Sequence, residues 1–255
     1  HRALPAGFER MAEALASAPY DYRSWHGVPL PKALRVWQEA RQARRWGVDV
    51  VLNTNLLGDM RAARVAERSR AASVYWERGA AWFPRNKPLH SGFTSSYRLI
   101  MGNSHASRRM LQEVWKVEAQ IEVCSPCVWN AEPADAPRTL PTGRPLHLGF
   151  AARLRAFKGG VLALHALAEL RRRGVDALLL VAGEGPDRSD MEATAKRLDL
   201  EAAVRFLGQV SDMKAFYRGI DVLIHPALRE PFGNILPEAA FEAVPCVAAS
   251  VDGLP

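Results

Sequence analysis

The sequence predicts an α/β protein made of two Rossmann-like, doubly wound domains, the front one incomplete. Three observations predict it. Short apolar runs alternate with helix-length amphipathic segments from Leu146 onward. A stretch with four prolines at 130–145 has no apolar periodicity. A looser version of the same alternation precedes it. Strands alternating with helices at this spacing form parallel sheets whose ligands bind at the carboxyl ends of the strands. With 255 residues, 48% hydrophobic and 24% charged, the chain is long enough to bury two ordinary cores.

In chain order, basic segments at Lys32 to Arg45 and Met60 to Arg70 read as helices, and Asp49 to Leu52, Ala72 to Trp76 and Leu99 to Met101 as strands. Residues 1–129 are therefore expected to form a partial front domain that lacks an opening strand with a glycine-rich turn. The proline-rich 130–145 reads as an extended linker and 146–255 as the rear domain. There Leu146 to Phe150 is a strand, followed by a turn with Lys158 and Gly159. A helix follows in which Val161, Leu164, Leu167 and Ala168 share a face and Arg171 to Arg173 complement the C-terminal dipole. Ala177 to Ala182 is apolar throughout, as in a strand buried on both faces. The alternation continues with a helix around Met191 to Leu198, a strand at Val204 to Leu207 and a helix near Met213 to Tyr217. It ends with a strand at Val222 to His225, a helix from about Pro237 and a strand at Cys246 to Ala249.

A net charge of +7 predicts a surface that attracts anions, whether nucleotide phosphates, an acidic membrane leaflet or nucleic acid. Nucleic acid is disfavoured, because no basic stripe is interleaved with aromatics. Three cysteines, an odd and sparse count, suggest a reducing, cytoplasmic compartment. Cys124 and Cys127 form a Cys-x-x-Cys without a second pair, and Cys246 stands alone, so no metal or redox centre is expected. No apolar run reaches the length of a membrane span. The chain starts without Met and stops just after a strand-like run, which reads as a fragment cut at both ends.

The sharpest constellation is Arg229-Glu230-Pro231-Phe232-Gly233-Asn234-Ile235-Leu236-Pro237-Glu238, two carboxylates bracketing a glycine turn that opens a helix. Gly233 permits a close backbone approach, the helix start favours a phosphate, and Pro237 suits the first helical position. Gly183-Glu184-Gly185 lacks the third glycine of a dehydrogenase fingerprint, and its acidic middle residue would repel a pyrophosphate.

These residues carry a resemblance. The segment from Glu230 to Glu238 resembles the Glu-x7-Glu motif of the retaining GT-B glycosyltransferases of group 1. The match extends to Arg153, Lys158-Gly159, Gly183 to Pro186, Phe206 to Val210 and Asp221 to Pro226. The resemblance implies two Rossmann-like domains facing a cleft and transfer of a sugar from a nucleoside-diphosphate sugar to an acceptor hydroxyl with retention of configuration. It implies that Glu238 binds donor ribose and that Glu230 holds the transferred sugar. Arg153 and Lys158 would neutralise the diphosphate without a metal or other cofactor. The backbone of Gly233, Asn234 and Ile235 would add to that grip, while Gly183, Gly185 and Gln209 line the nucleotide. A glycan or lipid-linked acceptor is implied, and the basic front half suggests a peripheral contact with an anionic membrane. Where many members carry a histidine before a glycine, this chain has Glu77 and Arg78 as candidate acceptor-side residues, with Trp76, Trp82 and Phe83 as candidate groove aromatics. His105, within Asn103 to Arg108, reads as a loop residue. The missing glycine-rich loop keeps open an alternative, a catalytically inactive or truncated nucleotide-binding or scaffold relative.

Overall fold

A computed structural model describes residues 31–54, 57–82, 89–126 and 139–254. Phe83, Cys127 and the linker residues 130–138 lie outside them. Helix α1 (Lys32–Arg45) leads into β1 (Val50–Thr54), α2 (Arg61–Ser69) and β2 (Ala72–Glu77). A short turn at Ala80–Trp82 and the single-turn α3 (Phe93–Ser96) then precede β3 (Leu99–Gly102) and α4 (His105–Arg109). Helix α4 widens into a π-type turn at Met110–Val114 before β4 (Ile121–Val123). Among the described residues the front sheet runs β1-β2-β3-β4, parallel throughout. The sequence marks no strand after Leu99 to Met101, yet the chain beyond β3 leads through α4 to β4. That strand has only three residues, with Glu122 in the middle, too few to show a period.

The rear half comprises β5 (Leu146–Ala151), α5 (Gly160–Arg172), β6 (Ala177–Ala182), α6 (Arg188–Arg197), β7 (Val204–Gly208), α7 (Met213–Gly219), β8 (Val222–His225), α8 (Ile235–Phe241) and β9 (Cys246–Ala248). The strands pair in the order β7-β6-β5-β8-β9, all parallel. Successive strands step outward on one side of β5 and then, from β8, on the other. The order thus reverses between β5 and β8, and a crevice opens at that point beyond the carboxyl ends. Helix α8 starts at Ile235, so Pro237 is its third residue and not its first. A proline is harmless there, because a first-turn amide has no intrahelical acceptor to lose.

Both faces of the rear sheet are covered, which is why β6 reads as a continuous apolar run. Leu148, Phe150, Leu179 and Val181 pack with Ala163, Leu164 and Leu167 of α5 and Met191 and Ala195 of α6. Ala151, Ala182 and Leu223 pack with Phe216 and Tyr217 of α7 and Ala239 of α8. Arg144 grips both oxygens of Asp221 at 2.8 and 2.7 Å, and the His147 amide donates to the same carboxylate. That clamp fastens the start of β5 to the start of β8. The front core is more aromatic: Tyr75, Phe93 and Tyr97 cluster, with the Tyr75 and Phe93 rings edge-to-face at 5.1 Å.

A hydrogen bond joins the halves beside the crevice. Ser104, the N-cap of α4, accepts from the Ser107 amide and donates its Oγ proton to the Pro231 carbonyl at 2.7 Å. Among the described residues, no helix is long and apolar enough to cross a membrane.

Candidate active site

The loops following the rear strands supply the expected residues. Arg153 and Lys158 follow β5, Gly183 and Gly185 follow β6, Gln209 follows β7, and Glu230 to Ile235 follow β8. Flanking the reversal, a cleft of about 640 Å³ is lined by Arg153, Gly183, Glu184, Gly185, Gln209, Val210, Met213, Ile235 and Glu238. Lys158, Glu230, Gly233 and Asn234 are not among its lining residues. They form an adjoining cluster, joined to the cleft by the short chain from Glu230 to Ile235.

Backbone packing explains the glycines at the rim. A Cβ on Gly183 would stand 1.9 Å from the Ala152 carbonyl oxygen, and one on Gly185 would stand 2.1 Å from that of Leu154. Only glycine lets the two loops lie this close. The amides of Ala152 and Leu154 then donate to the carbonyls of Ala182 and Glu184. Arg153, between them, is exposed and makes no ion pair with the described residues. The acid at Glu184 is ion-paired with Arg188.

Glu230 is 8% exposed, and its Oε2 receives two donors. Lys158 Nζ lies at 2.7 Å and His225 Nε2 at 2.8 Å. Burial alone would raise the carboxyl pKa; the hydrogen bonds from His225 and Lys158 overcome it and hold the group at about 2. Its backbone is fixed as well: the Glu230 amide donates to Asp252 Oδ2 and the Gly253 amide donates to the Glu230 carbonyl, each at 3.0 Å. After it, Gly233 turns with φ 84°, a left-handed conformation that glycine adopts without strain, and packs against Leu254 and Glu230. Lys158, expected at the diphosphate, thus spends one of its three donors on Glu230. Glu238 sits in the fourth position of α8, half-buried, accepting from the Tyr217 hydroxyl at 2.7 Å. Burial, then the neighbouring carboxylate, pushes the Tyr217 phenol well above its ordinary range, which keeps it a donor.

His225 and Tyr217 escaped the sequence reading as site residues. His225 lies within the landmark that ends in Pro226, and its position as the last residue of a strand five before Glu230 was the available signal. Nothing local connects Tyr217 with a carboxylate 21 residues later.

Glu77 was expected on the acceptor side. Its side chain is fully buried, and both oxygens are occupied: Oε2 by the Tyr75 hydroxyl, Oε1 by the amides of Gly79 at 2.6 Å and Ala81 at 3.0 Å. These contacts place it inside the turn after β2. Arg78 is exposed and stacks on Trp76 at 5.0 Å. The Trp76 indole donates to the Cys124 carbonyl, while Trp82 is buried in the front core. His105 is exposed at the first position of α4. Cys246 is an exposed free thiol.

The family model described as glycosyl transferases group 1 matches residues 133–255. The 2-deoxystreptamine glucosyltransferase of Streptomyces kanamyceticus is 36% identical over 109 residues, 42% of this chain and 28% of that protein. The chain spans well under half the length of the curated relatives it matches. Among solved structures, a glycosyltransferase from Rickettsia africae aligns at TM-score 0.69 and 16% identity, covering 98% of this chain and 70% of that one. Anabaena HepE in complex with UDP and glucose aligns at TM-score 0.64 and 19% identity, covering 86% and 63%. Residues 133–255 match the glycosyl transferases group 1 family, and the two parallel sheets take the GT-B fold.

Proposed function

We propose that this protein transfers a sugar from a nucleoside-diphosphate sugar to an acceptor hydroxyl with retention of anomeric configuration. The observation that carries the reading is the crevice at the strand reversal, lined by an uncommitted arginine and Glu238 and adjoined through the chain from Glu230 to Ile235 by the Glu230–Lys158 pair. The related fold in Anabaena HepE holds UDP and glucose. In this reading Glu238 accepts from ribose hydroxyls and Gly183, Gly185 and Gln209 line the nucleotide. Arg153 and the remaining donors of Lys158 face the diphosphate beside the backbone of Gly233, Asn234 and Ile235. Glu230 accepts from a hydroxyl of the sugar. The acceptor oxygen bonds to the anomeric carbon on the face from which the nucleotide leaves. The bond from that carbon to the phosphate oxygen breaks, and the acceptor's proton passes to the departing phosphate. Negative charge grows on that phosphate, and two fixed cations stabilise it with no metal or organic cofactor.

Calorimetric titration with UDP and with GDP, on wild type and Glu238→Ala, tests the nucleotide site: equal binding by both proteins defeats the role of Glu238. Nucleoside-diphosphate release from a panel of nucleotide sugars reports turnover, and the proton coupling of the new anomeric centre reports retention. A protein that binds nucleotide without turnover is the inactive relative.

A second observation concerns the acceptor. On the solvent side of α1, Leu34, Trp37 and Trp46 are each more than half exposed. The Arg41 guanidinium lies 5.5 Å over the Trp37 ring, with Arg44 and Arg45 exposed nearby. Indoles beside arginines suit the interface of an anionic bilayer, which would bring a lipid-linked glycan acceptor to the front half. Sedimentation with phosphatidylglycerol vesicles should show binding that falls at high salt and in Trp37→Ala; salt-insensitive binding counts against it.

A further inference from the structure

His225 closes β8 and is 2% exposed, with its Nε2 at 2.8 Å from Glu230 Oε2. An ionised carboxylate only accepts, so Nε2 carries the proton. The other nitrogen, Nδ1, is buried with no hydrogen-bond partner among the described residues. An orphaned polar atom in a core is a standing cost that a leucine or phenylalanine of similar bulk would not incur. Packing therefore does not account for a histidine here; its one hydrogen bond to Glu230 does.

The same bond divides the two oxygens of the carboxylate. Oε2 is filled by His225 and Lys158, while Oε1 accepts from no described residue. With the backbone N–H and C=O of Glu230 also taken by Asp252 and Gly253, neither the chain nor the side chain is free to turn. We infer that His225 is a positioning residue: with Lys158 it holds Glu230 in one rotamer so that Oε1 alone faces the sugar. It also keeps the group an acceptor, which suits recognition of a hydroxyl and not delivery of a proton. This rests on the proposed sugar-binding role of Glu230.

The test compares His225→Leu, which removes the donor, with His225→Gln, whose amide nitrogen reaches about where Nε2 does. UDP and UDP-glucose, and GDP and GDP-mannose, are titrated into each full chain by calorimetry, with turnover measured in parallel. His225→Leu should bind the nucleoside diphosphate within about twofold of wild type. Its ratio of nucleotide-sugar to nucleoside-diphosphate affinity should fall about tenfold, and kcat by at least as much. His225→Gln should recover most of both. An unchanged affinity ratio in His225→Leu overturns the inference. So does a loss of nucleoside-diphosphate and nucleotide-sugar binding in equal proportion, or a His225→Gln as impaired as His225→Leu. Failure of wild type to bind either pair counts against the proposed function itself, whereas a Glu230→Gln that binds and turns over normally defeats only the sugar-binding role of Glu230; both are read before any histidine variant.

Discussion

Glu230 and Glu238 belong to one motif, yet the fold treats them in opposite ways. Glu230 lies in a loop, buried, held by an ammonium, an imidazole and two backbone contacts. Glu238 lies on a helix, half-buried, with a single neutral hydroxyl on one oxygen. Two charged or polar donors on a buried carboxylate fix both its ionisation and its direction; one phenol on a partly wet carboxylate leaves it room to adapt. The proposed ligands fit this difference. A reacting sugar has to be placed to a fraction of an ångström, whereas ribose needs only to be gripped.

The comparison breaks most visibly at Lys158. Lys158→Met leaves Glu230 buried with one donor, and should cost about 2–4 kcal/mol in urea unfolding and at least about a hundredfold in sugar-transfer rate. An unchanged urea midpoint would mean that the pair does not stabilise the fold.

Acid sharpens it next. Because the folded-state pKa of Glu230 is held at about 2, below the ordinary 4.5, its contribution to stability is fully present above pH 4.5. It is lost as the pH falls from there toward 2. Over that window wild type should lose about 2–3 kcal/mol more than Glu230→Gln. Asp221, also held below its usual range with Arg144 as the lowering partner, titrates in both proteins, so the difference isolates Glu230. Parallel curves would remove the ionised pair from the account.

At the other end the effects shrink. Tyr217→Phe should cost about 1 kcal/mol and change nucleoside-diphosphate affinity less than about tenfold. Glu238→Gln keeps an acceptor for the Tyr217 hydroxyl, so its urea midpoint should shift by less than about 0.5 kcal/mol while nucleotide binding weakens several-fold. A large stability loss in Glu238→Gln would make the two ends of the motif alike.

How much of this the sequence revealed follows from what each signal depends on. Strands β5, β6 and β8 are legible because a buried parallel strand needs apolar residues on both faces, and α1 because its basic helical run is unbroken. The residues at the strand tips are legible because the chemistry fixes their spacing. What the linear pattern omits are tertiary contacts. His225 reads as one more strand residue, Tyr217 as a helix aromatic, and Glu77 as a charge in an exposed turn, until the buried donors around each are seen. Strand β4 fails for a different reason, since three residues show neither alternation nor length.

The hydrogen bond from Ser104 to the Pro231 carbonyl has a mechanical corollary. A rotation that carries α4 away from the loop after β8 must part those two atoms, and the carbonyl released is the one next to Glu230. The contacts of Glu230 with Lys158, His225, Asp252 and Gly253, and that of Glu238 with Tyr217, all lie within the rear half and would survive it. Such a swing would bare one backbone acceptor beside the motif without rearranging either carboxylate.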